Sequence, residues 1–105
     1  MKRVGFIMKL NEGNIEQYKK RHDEIWPELE AELKAAGISD YTIYVDEMTH
    51  TLFATQKLTD ENTAGQLPAK AIVQKWWAYM ADLMETEDNN TTPLVIPLRE
   101  VFHLD

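Results

Sequence analysis

The sequence predicts a small α+β domain with the element order β-α-β-β-α-β. Four segments alternate apolar and polar residues, as half-buried strands do, and two longer segments place apolar residues at helical spacing. With both helices on one face of an antiparallel sheet, this order is the split-βαβ, ferredoxin-like arrangement. The 105 residues, of which 44% are hydrophobic, are enough to build one core, so we interpret residues 1–105 as a single domain.

The N-terminal third predicts a strand followed by a helix. Residues 3–10 alternate, and Asn14 is a candidate N-cap for the helix that follows. Pro27 lacks the N–H that a helix interior needs, so we expect a kink or break there, and Gly37 is expected to end the helix in the left-handed conformation. The apolar stripe of this helix consists of Ile15, Tyr18, His22, Trp26, Leu29, Leu33 and Ala36.

The middle of the chain predicts a β-hairpin of residues 38–46 and 52–58, joined by a short polar connection. Helices cover only one face of the predicted sheet, and in a monomer the other face is expected to be polar. The candidate outward positions are instead mostly apolar, and they comprise Ile7, Tyr44, Phe53, Val101 and His103. A sheet with two apolar faces needs a second cover, so the sequence predicts a homodimer in which the helix-free sheet faces pack together.

The C-terminal half predicts the second helix and the last strand. A short helical segment opens at residues 59–61, and Pro68 ends or restarts it. A stronger amphipathic helix covers residues 69–84, and a polar loop over 86–93 follows. Residues 98–104 are predicted to form the final strand.

Composition and charge exclude several classes of function. Eleven Lys and Arg against 18 Asp and Glu give a net charge of −7, and no basic run is longer than residues 19–21, so we expect no nucleic-acid and no membrane partner. The absence of cysteine excludes disulfides, thiol nucleophiles and zinc–thiolate sites. The chain has no apolar run of about 20 residues and no signal-peptide pattern, so the expected location is the cytoplasm.

Tyr18 and His22 are the first candidate pair for chemistry, since residues four apart share a helix face. That face is the apolar stripe, which directs both side chains between helix and sheet. A histidine with a pKa of about 6.5 can donate or accept a proton at cellular pH. A core histidine bound to a backbone carbonyl is the other interpretation, and position alone favours it. No histidine and carboxylate residues show metal-ligand spacing on one face, so a metal site has little support.

Trp76 and Trp77 form the second candidate pair. As adjacent helical residues they point about 100° apart, with Trp76 near the middle of the apolar stripe and Trp77 toward its edge. A wide apolar face packed on the sheet explains the pair. A stacking platform explains it equally well, because tryptophan covers the C–H faces of a sugar while its N–H binds a hydroxyl. The residues alone leave both interpretations open.

The segment from Tyr18 to Leu29, YKKRHDEIWPEL, resembles the Y-x-x-R-H-x-x-I-W-P-E-L motif of the L-rhamnose mutarotase family. The resemblance continues in residues 41–44 (YTIY), 76–80 (WWAYM) and 98–102 (LREVF), and it covers essentially the whole chain. Residues 59–70 and the 86–97 loop depart from the family pattern. These departures lie away from the candidate site.

The resemblance implies an enzyme that interconverts the α and β anomers of L-rhamnose, as a dimeric α/β-barrel without a cofactor. It implies His22 as the proton donor, and it implies Tyr18, Tyr41, Trp76 and Trp77 as the residues that bind the sugar. Tyr41 is included mainly because of the resemblance.

Two other functions are open alternatives. Small monooxygenases, including haem-degrading ones, share the dimeric barrel, and a histidine beside tryptophans could ligate haem. A non-catalytic module that binds a sugar is the third possibility, and it predicts saturable binding without faster anomer exchange.

Overall fold

Three of the four alternating segments, together with residues 96–98, form an antiparallel sheet in a computed structural model that describes residues 1–105. The strands are β1 (Lys2–Lys9), β2 (Ile38–Asp46), β3 (Thr51–Leu58) and β4 (Ile96–Leu98). Their order in the sheet is β2-β3-β1-β4, and every neighbouring pair is antiparallel. The predicted α+β class is confirmed.

Helices fill two of the three connections between the strands. α1 (Ile15–Asp23) and α2 (Pro27–Ala35) lie between β1 and β2, and α3 (Ala71–Met80) lies between β3 and β4. Short 3₁₀ helices cover residues 64–69 and 81–83. None of the helices is both long enough and apolar enough to cross a membrane.

The break expected at Pro27 separates α1 from α2. Trp26 is extended (φ −65°, ψ 130°), and Pro27 occupies the first turn of α2, where a missing N–H costs no helical hydrogen bond. Gly37 follows the end of α2 with a φ of +91°, in the left-handed region. A Cβ at this position would collide with Thr59 and Asn62, so both the backbone conformation and the available space require glycine.

The hydrophobic core lies between the helices and one face of the sheet. In the β1–β3 register, Met8 pairs with Leu52 and Phe6 with Ala54, which places these side chains on the helix-covered face. All three helices contribute to the same core, so burial of their apolar sides holds them on this face. The buried core residues are Met8, Leu10, Tyr18, Leu29, Leu52, Ala54, Val73, Trp76, Met80, Leu83 and Met84.

The helical elements of the C-terminal half are shorter than predicted. The short segment is a 3₁₀ helix that starts only at Ala64, because the side chain of Asn62 accepts a hydrogen bond from the Ala64 N–H and holds a turn before it. The helix predicted over residues 69–84 ends earlier, since Met84 is extended and pairs with Leu10 just beyond β1. Pairing with the sheet therefore overrides the helical pattern.

The strand predicted over residues 98–104 is wrong. β4 covers only three residues and pairs with the middle of β1, and residues 99–105 have no regular structure. Their apolar side chains lie almost free of the protomer: Val101, Phe102 and Leu104 are each at least 77% exposed. A strand is stabilised by packing of its side chains, and no helix or sheet face of the protomer covers this segment.

The face of the sheet opposite the helices is uncovered. Its apolar side chains include Tyr44, Phe53, Ile96 and Leu98, which are 41–64% exposed. Ile7 lies on the same face and is partly buried, opposite Ile96 in the register. The other two residues expected on this face, Val101 and His103, belong to the 99–105 segment and not to the sheet. We call the uncovered surface the outer face.

Candidate active site

A cavity of about 710 Å³ lies between the helices and the helix-covered face of the sheet. Most of its lining side chains are hydrophobic, with a few polar groups among them, which is the usual composition of a small-molecule site. All five site residues predicted from the sequence line this cavity: Tyr18, His22, Tyr41, Trp76 and Trp77.

α1 contributes the pair Tyr18 and His22 on adjacent turns of one face. The two rings stack with centroids 4.2 Å apart, and Nδ1 of His22 lies 3.1 Å from the backbone carbonyl of Tyr18. A carbonyl oxygen only accepts, so Nδ1 carries the hydrogen and donates it. Nε2 has no protein partner and is the nitrogen left to exchange a proton. His22 therefore binds a backbone carbonyl, as a core histidine does, and it also lines the cavity.

Burial sets the protonation states of these side chains. Desolvation lowers the pKa of His22 below its ordinary value, against the opposing effect of the Tyr18 carbonyl bond, so the imidazole is neutral at pH 7. Desolvation raises the pKa of Tyr18, with a further contribution from nearby Tyr41, and it raises the pKa of Tyr41 to about 12. Both phenols therefore keep their protons and can donate hydrogen bonds.

Tyr41 lies on a β-bulge of β2. The pairing of β2 with β3 shifts between Ser39 and Thr42, where the extra residue Asp40 has a φ of +46°. The extra residue lets Ile38 and Tyr41, which are three residues apart, both line the cavity on the helix-covered face. Its ring centroid lies 6.3 Å from that of Phe6, and the residue remains 38% exposed. One side of the Tyr41 ring therefore packs on protein, and part of the residue is still accessible to a ligand.

α3 contributes the two tryptophans, in different environments. Trp76 is 7% exposed, and its ring meets His22 and Trp26 edge-on, with centroids 5.3 and 5.1 Å apart. Trp77 lies at the edge of the core, partly exposed, as its position in the helix predicted. Trp76 therefore fixes the surroundings of His22, whereas Trp77 keeps indole surface free on the cavity wall.

Arg21 is a residue that the sequence analysis missed. Its guanidinium donates to the Tyr79 carbonyl (2.6 Å) and to the two carboxylate oxygens of Asp82 (2.9 and 3.2 Å). It also lies over the Tyr79 ring, 4.5 Å from the centroid. These partners are 58 and 61 residues away in the sequence, so no local pattern signalled the cluster.

Charged side chains along the cavity pair with one another. Lys19 binds Asp23 (2.7 Å) and Lys34 binds Glu30 (3.0 Å), each within its own helix. The structure brings together no group of three or more His, Asp or Glu side chains that could hold a metal ion. The cavity is thus largely apolar and aromatic, with neutral donors and one imidazole, which suits an uncharged ligand.

These features define a small α+β protein whose cavity is largely apolar and aromatic and has one imidazole on its wall. The family model described as L-rhamnose mutarotase matches residues 3–104. An L-rhamnose mutarotase from Sinorhizobium fredii is 52% identical over 104 residues, 99% of each chain. Another from Bacteroides thetaiotaomicron is 52% identical over 105 residues, 100% of each chain. The chain belongs to the L-rhamnose mutarotase family.

A solved structure agrees with the sequence comparisons. The crystal structure of an L-rhamnose mutarotase from Formosa agariphila matches with a TM-score of 0.91 at 48% sequence identity, and the match covers 100% of both chains. The matches favour the mutarotase prediction over the haem-monooxygenase and binding-module alternatives.

Proposed function

We propose that this protein interconverts the α and β anomers of L-rhamnopyranose by acid–base opening and closure of the sugar ring. Its relatives are named mutarotases, which are isomerases of this kind. The observation that carries the proposal is the position of His22. In a member of this family, an imidazole with a free nitrogen lines a cavity together with phenol and indole side chains.

Ring opening moves one proton off the anomeric hydroxyl and places one on the ring oxygen. The C1–O5 bond breaks and C1 becomes an aldehyde carbon; after rotation about C1–C2, the reverse steps close the ring on the other face. In this proposal, neutral Nε2 of His22 accepts the hydroxyl proton, and the imidazolium then donates a proton to the ring oxygen. Positioned proton transfer accelerates a reaction by about 10²–10⁴-fold, which suffices for one that also proceeds in water.

The tyrosines and tryptophans hold the sugar in the proposed complex. Tyr18 and Tyr41 keep their protons at pH 7, as phenols with ordinary or raised pKa values do, and they donate hydrogen bonds to sugar oxygens. Trp77 covers the C–H face of the ring or the 6-deoxy methyl group, and Trp76 closes the wall beside His22. The absence of charge on the sugar agrees with a cavity whose lysines and carboxylates already pair with each other.

We further propose that residues 1–105 form one ferredoxin-like domain and that two copies assemble as a dimeric α/β-barrel. The outer face supports this proposal, because Tyr44, Phe53, Ile96 and Leu98 are exposed on it. Contiguous apolar surface of this kind marks an interaction site, and a second copy with the same face is a self-complementary cover.

Anomer exchange measured by NMR tests the proposed activity. With catalytic amounts of protein, magnetisation transfer between the α and β signals of L-rhamnose is expected to speed up, and a panel including L-fucose and other neutral hexoses measures the specificity. Saturable sugar binding without faster exchange would contradict the proposal and favour a binding module. A Soret shift on addition of haem would favour the monooxygenase alternative.

A further inference from the structure

We propose that Arg21 is a positioning residue: through Asp82 and Tyr79 it holds α1 against the end of α3 and so keeps His22 in place for proton transfer. Arg21 is not part of the cavity wall. The inference rests on the proposed function and adds to it a residue that acts through others.

α1 depends on side chains for its position. It carries both Tyr18 and His22, yet it has fewer close backbone neighbours in any other element than α2 has in β2 or α3. A helix of nine residues is also too short to be stable without tertiary contacts. The rings of Tyr18 and His22 provide one link to α3, through Trp76, and Arg21 provides a second link outside the cavity.

The contacts of Arg21 fix both the position and the orientation of its guanidinium. The Tyr79 carbonyl belongs to the last turn of α3, where carbonyls lack helical partners, and the carboxylate of Asp82 binds two nitrogens of the guanidinium. The Tyr79 ring packs against the guanidinium and lies 5.8 Å from Trp76, centroid to centroid. A continuous series of contacts therefore runs from Arg21 through Tyr79 and Trp76 to His22.

Stability alone does not account for this arrangement. Asp82 is 64% exposed, and ion pairs with an exposed partner contribute little to the free energy of folding. Nε of Arg21 is buried without an acceptor, which disfavours the folded state. Arg21 thus makes several directional contacts whose combined effect is to constrain α1.

Arg21→Lys is the decisive variant. Lysine keeps the charge and most of the length, but it cannot bind the carbonyl, bind both carboxylate oxygens and stack on Tyr79 together. Because Arg21 is adjacent to His22, we expect kcat for L-rhamnose anomer exchange to fall by about tenfold or more, as expected for a displaced reacting group. The melting temperature is expected to change little, and KM is expected to rise by a smaller factor than kcat falls, because Tyr18 lies on the same helix. Asp82→Asn keeps the shape of the partner and is expected to lower kcat in the same way, by a smaller factor.

Lys70→Met is the matched control. It removes an ion pair of Lys70 with Glu32 (3.4 Å), which also joins two helical elements but lies at the other end of α3. Its kcat is expected to equal that of the parent. Circular dichroism corrects every rate for the folded fraction.

The outcomes separate this inference from the proposed function. Parental kcat in Arg21→Lys overturns the role of Arg21, and so does an equal loss of kcat in Lys70→Met. If Arg21→Lys does not fold, Asp82→Asn decides by the same criteria. A parent protein that does not accelerate exchange overturns the proposed function and this role with it, whereas an active parent with an equally active Arg21→Lys overturns the inference alone.

Discussion

The two faces of the sheet carry apolar side chains on the same strands but have different covers. On the helix-covered face, Met8, Leu52 and Ala54 are at most 6% exposed, and the cavity opens beside them. On the outer face, Tyr44 and Phe53 are 64% and 41% exposed. The chain uses all of its helices to cover the face that holds the candidate chemistry. The proposed active site and the proposed dimer interface therefore lie on opposite sides of one thin layer, so substitutions on the two faces should have separable effects.

The largest effect is expected on the outer face. Phe53→Asp would bury a carboxylate in each copy of a dimer, at a cost of several kcal/mol per ion, so we expect a monomer at micromolar concentration. Light scattering measures the mass. Met48→Asp is the matched control, since Met48 is 92% exposed in the β2–β3 turn, and it should leave the mass unchanged. A parent that is itself monomeric would contradict the proposed assembly.

On the helix-covered face, His22→Asn should remove catalysis and leave assembly intact. Asparagine approximates the hydrogen bonding of imidazole but cannot exchange a proton near pH 7. We expect anomer exchange to slow by at least ~10²-fold, while the variant remains folded and still binds L-rhamnose. His50→Asn is the control: His50 lies in a turn with a φ of +60°, a conformation that asparagine tolerates, and it is not part of the cavity. A fully active His22→Asn variant would show that His22 is a core residue and not the acid–base group.

Within the cavity, Trp77 is expected to contribute mainly to sugar affinity and Trp76 mainly to the free energy of unfolding. Trp77→Ala should weaken sugar binding by about 1–3 kcal/mol, the usual contribution of a large apolar side chain, with a small loss of stability. Trp76→Ala should instead lower the free energy of unfolding by about 3–5 kcal/mol, because Trp76 is buried beside His22 and Trp26. Isothermal titration and urea unfolding on both variants measure the two quantities. Unchanged affinity in folded Trp77→Ala would show that Trp77 serves packing alone.

The smallest expected effect is the dependence on pH. The lowered pKa of His22 means that the unfolded chain binds the proton more readily than the folded protein. The contribution of neutral His22 to the free energy of unfolding is therefore fully present above the ordinary pKa of about 6.5, and it declines as the pH falls below that value. Exchange activity should decline in the same direction, as neutral imidazole is lost. Urea unfolding at pH 7.5 and 5.5 should show a smaller difference for His22→Asn than for the parent.

Local patterns predicted much of this fold. The spacing of four residues between Tyr18 and His22 correctly placed them on one face, and the backbone rules for Pro27 and Gly37 correctly predicted a helix break and a left-handed end. Each of these features depends on neighbours within a few residues, which is the range that a sequence pattern contains.

The features that were missed depend on contacts between distant segments. The bulge at Asp40 is a feature of the pairing between β2 and β3, and Arg21 has its partners 58 and 61 residues away. The strand predicted over residues 98–104 fails for the same reason, because its apolar residues have nothing to pack against within the protomer. Tyr41 was included mainly through the family resemblance, since a tyrosine in an alternating strand does not by itself indicate a site.

The break between α1 and α2 has a consequence for local unfolding. α1 is about 13 Å long and ends before Pro27, so it gains no cooperativity from α2. Its backbone hydrogen bonds can therefore open in a small unit, without disturbing the β1–β3 ladder. We therefore expect the segment that carries the proposed acid–base group to be the first part of the site to exchange its amide hydrogens on warming, and activity to fade at temperatures where the sheet is still intact.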